Sequence, residues 1–399
     1  MSIETLIDTI LSKMSSVGKW QSEFFKHIVV LYLSLRGRYT YLNMSRYGGR
    51  AESTYRLNFN KGFDFLSFQR ELLKQYGGKE RVWAFDPSYI GKSGRSTPGV
   101  GYFWSGCAGA LKWGLEIMGL ALLSIEQQTA LHYYARQSRP DEYEGSLLSY
   151  YASFIEELAP KMLPISRLMA VDAYFSKKPF IDVVKAAGIE VISRFRDDVA
   201  LFYPYLGPKL KRRGRPQKFA GKVDVYNLDK QYFKPCFKDE DEIAYEARVY
   251  ARALKCWVKV VVLHKYKAGK IKTGKVFFST LESIQGCDLL LYYRQRFQIE
   301  FLYRDGKQHI GLEQSQARKP KAMEFHYNLS LTVVSIAKVL CWFSIPQDQR
   351  GPFSMADIKT QYFNELMLDK FISVFAQDPN TIKNHPAIRE LYDFGKIAA

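Results

Sequence analysis

Two aspartates follow short apolar runs at widely separated places in the chain. Asp86 ends the run RVWAFD, and Asp172 ends the run ISRLMAVD. The carboxyl ends of strands are where α/β sheets place ligand-binding groups, so two neighbouring carboxylates there can bind hard cations through oxygen. A pair of cations about 4 Å apart is suited to in-line displacement at a phosphodiester. Taken singly, Asp86 before Pro87 is also typical of a turn, and Asp172 of a helix cap.

A third acid, Glu300, lies in the helical run YRQRFQIEFLYRDGK together with Tyr293, Arg296 and Lys307. At about 100° per residue, these four positions fall within roughly 60° of one helix face. Such a stripe suits a surface laid on a phosphate backbone, with Glu300 directed to a metal ion and Arg296 and Lys307 to phosphates. The alternative is a solvent-exposed face in which Arg296 and Glu300 form an ion pair at i, i+4.

The spacing Tyr-(2)-Arg-(3)-Glu-(6)-Lys at these four positions resembles the signature of the insertion-sequence-four family of bacterial DDE transposases. The passages FDPSYIGKSGRSTPGVGYFWSGCAG, VDAYFSKKPFIDV and GRPQKFAGKVDVYNL are similar to a subgroup of that family, and the resemblance covers about residues 35 to 345. It implies an RNase H-like catalytic domain with Asp86 on its first strand and Asp172 on its fourth. Glu300 would lie on a later helix, after a β-rich insertion.

The resemblance also implies an activity, namely metal-dependent cleavage at transposon ends followed by strand transfer into target DNA. Asp86, Asp172 and Glu300 would be the catalytic residues and would hold two Mg²⁺ or Mn²⁺ ions, while Tyr293, Arg296 and Lys307 would contact DNA. The implied partners are double-stranded DNA, as terminal inverted repeats and as target, and a second copy of the chain in a homodimer. Two alternatives stay open: an inactive or repurposed DNA-binding protein, and an RNase H-like nuclease that never joins strands.

A basic segment, KLKRRGRPQK at residues 209–218, supplies further DNA-binding candidates. Its core Arg-Gly-Arg-Pro resembles an AT-hook, in which arginines on an extended backbone fit a narrow A·T minor groove. The alternative is a solvated basic loop that binds phosphates without sequence preference. Both interpretations favour contact with nucleic acid, and the side chains concerned are Lys211, Arg212, Arg213, Arg215 and Lys218.

Trp257 lies among alternating strand residues of the insertion. Some relatives use an insertion tryptophan to stack on a flipped base, and the alternative is an ordinary core tryptophan. Lys92, Lys177 and Lys178 follow the two aspartates closely and are candidates for contact with the scissile strand, although surface lysines are common.

The order of strand and helix patterns around these residues predicts an α/β fold. We expect an RNase H-like catalytic domain with a β-rich insertion, plus helical N-terminal and C-terminal segments. Apolar residues recur at helical spacing in FFKHIVVLYLSL, and GRYTYLNMSRYGGRAESTYRLNF is compatible with a helix-turn-helix or with two simply packed helices. We expect a helical DNA-binding region at 1–78, the first part of the catalytic domain at 79–194, the insertion at 195–285, the second part of the catalytic domain at 286–345 and a helical C-terminal region at 346–399.

Composition agrees with a polyanionic partner. The chain has 399 residues with 58 Lys+Arg against 40 Asp+Glu, a net charge of +18, and 47% hydrophobic residues, enough for buried cores. Its five cysteines form no CxxC pair, which disfavours a zinc site, and no GxxxxGK[ST] loop indicates ATP use. The N-terminus does not resemble a signal peptide, and the most apolar stretch contains Lys338, so we expect a cytoplasmic, nucleoid-associated protein without a membrane anchor.

Overall fold

A computed structural model describes residues 2–208, 216–267, 270–374 and 388–396 of the chain. Its N-terminal part is helical. Thr40 caps the third helix through its side chain, and Gly49 ends that helix at a φ of 68°, a left-handed conformation that glycine adopts without strain. The five helices are α1 (Ile3–Leu11), α2 (Lys19–Ser34), α3 (Tyr41–Gly48), α4 (Glu52–Lys61) and α5 (Phe65–Tyr76).

A mixed sheet of twelve strands follows. Its order is β2-β3-β1-β5-β6-β12-β11-β10-β7-β8, with β4 paired to β3 and β9 paired to β10. The strands are β1 (Arg81–Gly91), β2 (Gly101–Ser105), β3 (Ala110–Ser124), β4 (Thr129–Gln137), β5 (Leu168–Val171), β6 (Glu190–Arg194), β7 (Leu201–Pro204), β8 (Phe219–Lys222), β9 (Lys234–Lys238), β10 (Glu242–Ala251), β11 (Cys256–Lys267) and β12 (Lys270–Ser279).

The half of the sheet that contains β1 to β6 has the topology that the sequence predicts. β1, β3 and β4 form an antiparallel meander, and β5 and β6 then run parallel to β1. The helices α6 (Leu147–Met162) and α7 (Lys178–Ala186) connect these parallel strands. The α/β, RNase H-like fold class is therefore confirmed. One strand was not expected: the short β2 forms a hairpin with β3, so Asp172 follows the fifth strand rather than the fourth.

The β-rich insertion continues the same sheet. β12 pairs antiparallel with β6 through Phe277↔Arg194 and Phe278↔Ser193, and β11, β10, β7 and β8 extend the sheet outward from there. The insertion strands and the strands β1 to β6 therefore belong to one hydrogen-bonded sheet, in which β11, the strand of Trp257, is two strands from β6.

The remaining helices are α8 (Gly286–Gln295), α9 (Gln298–His309), α10 (Pro320–Ala337), α11 (Met355–Val374) and α12 (Ile388–Asp393). A single helix was expected through residues 293–307. The backbone stays in the right-handed helical region at Arg296 and Phe297, but its hydrogen bonds there join residues three apart, so α8 ends at Gln295 and α9 begins at Gln298. α10 is buried along nearly its whole length and packs on β4 and α4.

Two apolar cores lie on opposite faces of the sheet, and β1 contributes to both. Val82 and Ala84 face the N-terminal helices, α9 and α10. Trp83 and Phe85 face α6 and α7. Because successive strand side chains alternate between faces, a strand buried on both sides reads as the continuous apolar run that precedes Asp86. In the described part of the chain, no helix is long and apolar enough to cross a membrane.

Candidate active site

The sheet register brings Asp86 and Asp172 side by side. β1 and β5 pair in parallel through Trp83↔Met169, Ala84↔Ala170 and Phe85↔Val171, and the next residue of each chain segment is the aspartate. Neighbouring strands lie about 4.8 Å apart, so the two carboxylates leave adjacent backbone positions.

β1 itself does not end at Asp86. It continues along β3 as far as Gly91, so the Asp86-Pro87 pair lies in a strand and forms no turn. Pro87 lacks a backbone N–H, which is tolerated because the pairing with β5 has already ended at Phe85. Asp172 does act as a cap: its Oδ1 accepts a hydrogen bond from the backbone N–H of Ala173 at 2.6 Å, at the start of a short 3-10 turn.

Glu300 lies on α9, and Tyr303 fixes that helix to the strand of Asp86. The Tyr303 hydroxyl donates a hydrogen bond to the backbone carbonyl oxygen of Asp86 at 2.6 Å. Gly119, directly opposite Asp86 in β3, makes room for this contact, since a Cβ there would lie 1.9 Å from the Tyr303 hydroxyl oxygen. Because residues three apart share a helix face, Glu300 points to the same side of α9 as Tyr303.

The pKa of Asp86 reflects a cluster of acids around its carboxyl group. The pKa of Asp86 is raised to about 7. Burial is the main cause, Arg296 acts in the opposite direction, and the carboxylates of Glu300, Asp172 and Glu116 add to the increase. A carboxyl group that feels three other carboxylates is typical of a centre that requires added positive charge.

Arg296 supplies that charge within the chain. Its guanidinium forms an ion pair with Glu300 at 2.9 Å, and its side chain is 13% exposed against 38% for Glu300. Burial opposes protonation of Arg296, but the charges of Asp86 and Glu300 outweigh burial and raise its pKa. The Nε of Arg296 is buried without a hydrogen-bond partner, so the guanidinium is only partly satisfied in this arrangement.

The four residues that were expected on one helix face are divided between α8, α9 and the short interruption that joins them. Tyr293 lies on α8, where its ring packs against Phe277 with a centroid distance of 4.9 Å. Lys307 lies near the end of α9, and its Nζ donates a hydrogen bond to the carbonyl oxygen of Tyr89 at 2.6 Å. The Tyr293 side chain also forms a hydrogen bond with Arg296, which is ion-paired with Glu300, so these three residues stay together across the interruption.

Two residues of this site were missed in the sequence. Glu116, on β3, is buried and accepts a hydrogen bond from the Tyr151 hydroxyl at 2.7 Å; burial raises its pKa. Its signal was a lone acid in the apolar run WGLEIMGLALL. Tyr303 gave a weaker signal, a tyrosine one helical turn after the third acid.

The donor set fits a hard divalent cation in its chemistry, because Asp86, Asp172 and Glu300 offer only carboxylate oxygens. In the described residues, however, no three acidic, histidine or cysteine side chains are already gathered around one point. Glu300 is instead paired with Arg296. The same carboxylate therefore has two competing partners, the guanidinium and any bound cation.

The lysines near the aspartates are engaged with the protein. The Lys92 Nζ donates hydrogen bonds to the carbonyl oxygens of Ser315 at 2.5 Å and Ala317 at 3.2 Å. Lys177 lies over the Tyr174 ring, and Lys178 forms an ion pair with Asp182.

A pocket of about 550 Å³ lies in the insertion, and Trp257 forms part of its wall. The Arg248 guanidinium lies over the Trp257 ring at 4.5 Å, and the ring is partly exposed rather than a core residue. Lys218 also lines this pocket, whereas Lys211, Arg212, Arg213 and Arg215 lie outside the described residues. The remaining lining residues are aromatic or basic: Phe202, Phe219, Tyr250, Arg252 and Lys255, with Pro216 beside them.

Comparisons with known proteins bear on the same region. Residues 150–335 match the family model described as "Transposase DDE domain", a segment that contains Asp172 and Glu300, while Asp86 precedes it. Among solved structures, the chain is similar to the piggyBac transposase in a cryo-EM synaptic complex with hairpin DNA, at 14% identity and a TM-score of 0.39, covering 98% of this chain and 73% of that one. No curated protein matches the chain.

Proposed function

We propose that this protein is a DNA transposase that cuts the phosphodiester at transposon ends and joins the freed 3′ ends to target DNA at one carboxylate centre. The observation that carries the proposal is the parallel register of β1 and β5, which makes Asp86 and Asp172 neighbours beside α9 and Glu300. The transposase DDE domain match over residues 150–335 supports the same assignment.

Asp86, Asp172 and Glu300 are the groups that would hold Mg²⁺ or Mn²⁺. When bound, two such ions supply charge neutralisation and activation of the attacking oxygen for in-line phosphoryl displacement. Asp86 is buried among other carboxylates, so the site has an excess of negative charge that bound cations would neutralise.

Arg296 has a different part in this proposal. Its guanidinium neutralises Glu300 and acts on Asp86 in the protein alone. If Asp86 and Glu300 held cations, the guanidinium would be free to bind a phosphate oxygen through two parallel N–H groups. Tyr303 keeps the backbone of Asp86 fixed while the charges around it change.

DNA would be held by surfaces on both sides of this centre. A cleft of about 1050 Å³ between the N-terminal helices, the end of β1 and residues 313–322 is rich in cations, among them Arg38, Arg56 and Arg318. We assign the N-terminal helices to recognition of the terminal inverted repeats. The aromatic and basic pocket around Trp257 has the composition of a site for an unpaired base. A homodimer would hold two transposon ends together.

Cleavage of DNA that carries the inverted repeats flanking the gene tests the proposal. The Glu300→Gln variant keeps the size of the side chain and removes its charge, so in Mg²⁺ we expect nicking to fall by about a hundredfold or more, the usual loss when an electrostatic stabiliser is removed. Glu157→Gln is the matched control, because Glu157 is also paired with an arginine, Arg136 at 2.8 Å, but on the surface.

The products distinguish the possible outcomes. Nicked DNA together with joined product supports the transposase. Nicks without any joined product would assign a nuclease that does not transfer strands. Metal-independent DNA binding without nicks, or undiminished cutting by Glu300→Gln, would contradict the assignment of the three acids.

A further inference from the structure

The hairpin formed by β2 and β3 exposes an apolar cluster. Tyr102 is 69% exposed, Trp104 61%, Leu111 63% and Trp113 37%. The strand pairs are Tyr102↔Trp113 and Trp104↔Leu111, so all four side chains leave one face of the hairpin. Single exposed apolar residues are ordinary, but two tryptophans, a tyrosine and a leucine side by side mark a surface that binds something.

This aromatic face, defined by Tyr102, Trp104, Leu111 and Trp113, is a continuation of the face that carries Asp86. In β3, Gly119 lies opposite Asp86, and Trp113 is six residues from Gly119 in a register without a bulge. An even number of residues keeps side chains on the same face of a strand. At about 3.3 Å per residue, the aromatic face begins about 20 Å from the acids.

The charge around the hairpin favours a polyanionic partner. From Pro87 to Leu115 the chain contains Lys92, Arg95 and Lys112 and no acidic residue. The loop between β1 and β2 also lines the basic cleft that reaches Arg38 and Arg318. An apolar patch that adjoins cations and a phosphodiester-directed site fits nucleic acid better than it fits the uncharged surface of another protein.

The hairpin is held in place at its base. The Tyr89 hydroxyl donates a hydrogen bond to the carbonyl oxygen of Trp113 at 2.7 Å. Gly114 allows this close packing, because a Cβ there would lie 2.5 Å from the carbonyl oxygen of Ile90. Tyr102 and Trp113 also contact each other edge to face, with ring centroids 5.3 Å apart. The rings are therefore presented by a fixed support and not by a free loop.

We infer that the aromatic face stacks on nucleobases of the DNA that crosses the active site. This inference rests on the proposed function, because it concerns the DNA that is bound at the acids. Aromatic side chains flanked by cations bind bases by their π-faces, which is sequence-tolerant and strongest where bases are unpaired or unstacked. The hairpin thus holds the DNA strand about 20 Å from the cleavage point, which corresponds to six residues along β3.

Binding of fluorescent 40-base-pair duplexes to the full chain tests the inference, one duplex fully paired and one with four unpaired bases at its centre. We expect Trp104→Ala and Trp113→Ala each to weaken binding to the unpaired duplex by about tenfold, the usual effect of removing one stacked ring. Trp104→Phe, which keeps a ring, restores most of the affinity. Phe394→Ala is the matched control, since Phe394 is 77% exposed and lies outside the surfaces that we assign to DNA.

The measurements of binding and of nicking distinguish failure of the inference from failure of the proposed function. Binding is measured in Ca²⁺, so the result does not depend on cleavage. Unchanged affinity in both alanine variants overturns the inference even if the wild-type chain nicks DNA. If the variants instead lose self-association in sedimentation while DNA affinity is kept, a second copy of the chain covers the aromatic face and the inference is wrong. Loss of nicking alone would count against the carboxylate centre only.

Discussion

The Tyr303 hydroxyl donates a hydrogen bond to the carbonyl oxygen of Asp86, and this contact joins the helix of the third acid to the strand of the first. The bond crosses 217 positions of sequence in a buried environment. It is directed at the backbone of Asp86, so it fixes the strand without using the carboxylate oxygens. The relative position of Glu300 and Asp86 therefore depends on a residue that takes no part in the proposed chemistry.

Replacing Tyr303 by Phe removes this bond and leaves the Asp86 carbonyl unsatisfied. We expect a loss of about 1–3 kcal/mol in the free energy of unfolding, the usual cost of an unpaired buried polar group. Nicking should also fall, because the acids are held less accurately. Tyr133→Phe is the control: its hydroxyl is 3.4 Å from the Lys161 carbonyl oxygen, far from the acids, so a smaller loss and normal nicking are expected. Equal effects of the two variants on nicking would contradict a positioning role.

Gly119 is the second half of the same contact. An alanine Cβ at this position would lie 1.9 Å from the Tyr303 hydroxyl oxygen, so Gly119→Ala must displace α9 and should cost about 1–3 kcal/mol of stability. Adding Tyr303→Phe removes the closest atom, so the double variant should be more stable than the sum of the two single losses predicts. Gly221→Ala is the control, because nothing lies within 4 Å of the added Cβ. Strict additivity in chemical denaturation would show that the two residues do not compete for this space.

The sequence predicts the strands of the aspartates but not their full extent. Asp86 and Asp172 follow apolar runs, and such runs indicate buried parallel strands whose ends meet. The continuation of β1 beyond Pro87 could not be foreseen, because it depends on the partner β3 and on where β5 stops. The pairing of β6 with β12 joins residues about 85 positions apart, and nothing local in either strand indicates it.

The helix break shows a different limit. The run from Tyr293 to Lys307 contains no proline and has glycine only at Gly306, so periodicity predicts one continuous helix. In the structure, α8 packs mainly on β6, β11 and β12, whereas α9 packs on β1 and β4. Tertiary packing therefore overrides a regular local pattern. The ion pair of Arg296 with Glu300 was foreseen as an alternative, since it needs only four residues of spacing.

Removal of Arg296 leaves the negative charges of the site without their internal counter-ion. In Arg296→Gln, Asp86 and Glu300 lose their internal counter-ion, so we expect a less stable protein whose melting temperature rises with added Mg²⁺ more than that of the wild type. The physical reason is that the cation then meets no competitor for Glu300. Arg136→Gln breaks a surface ion pair with Glu157, and its melting temperature should respond to Mg²⁺ as that of the wild type does. An identical Mg²⁺ response in all three proteins would contradict competition at Glu300.

Two buried histidines make stability depend on pH. Burial lowers the pKa of His326 to about 4 and that of His132 to about 3, from an ordinary value of 6.5. The Nε2 of His326 lies 2.9 Å from the Gly311 carbonyl oxygen and donates to it, so the neutral ring accepts from the Tyr32 hydroxyl at Nδ1. Below pH 6.5 the unfolded chain binds protons that the native state does not, so stability is present above pH 6.5 and falls as the pH is lowered towards 4.

At pH 5 each of these histidines should lower the free energy of unfolding by about 2 kcal/mol relative to pH 7.5, since one pKa unit corresponds to about 1.4 kcal/mol. Urea denaturation of the wild type and of His326→Gln at both pH values measures this. The substitution has a fixed cost from its lost hydrogen bonds, but the difference between pH 7.5 and pH 5 should shrink by the contribution of one histidine. An unchanged pH difference in His326→Gln would show that folding does not lower the pKa of this ring.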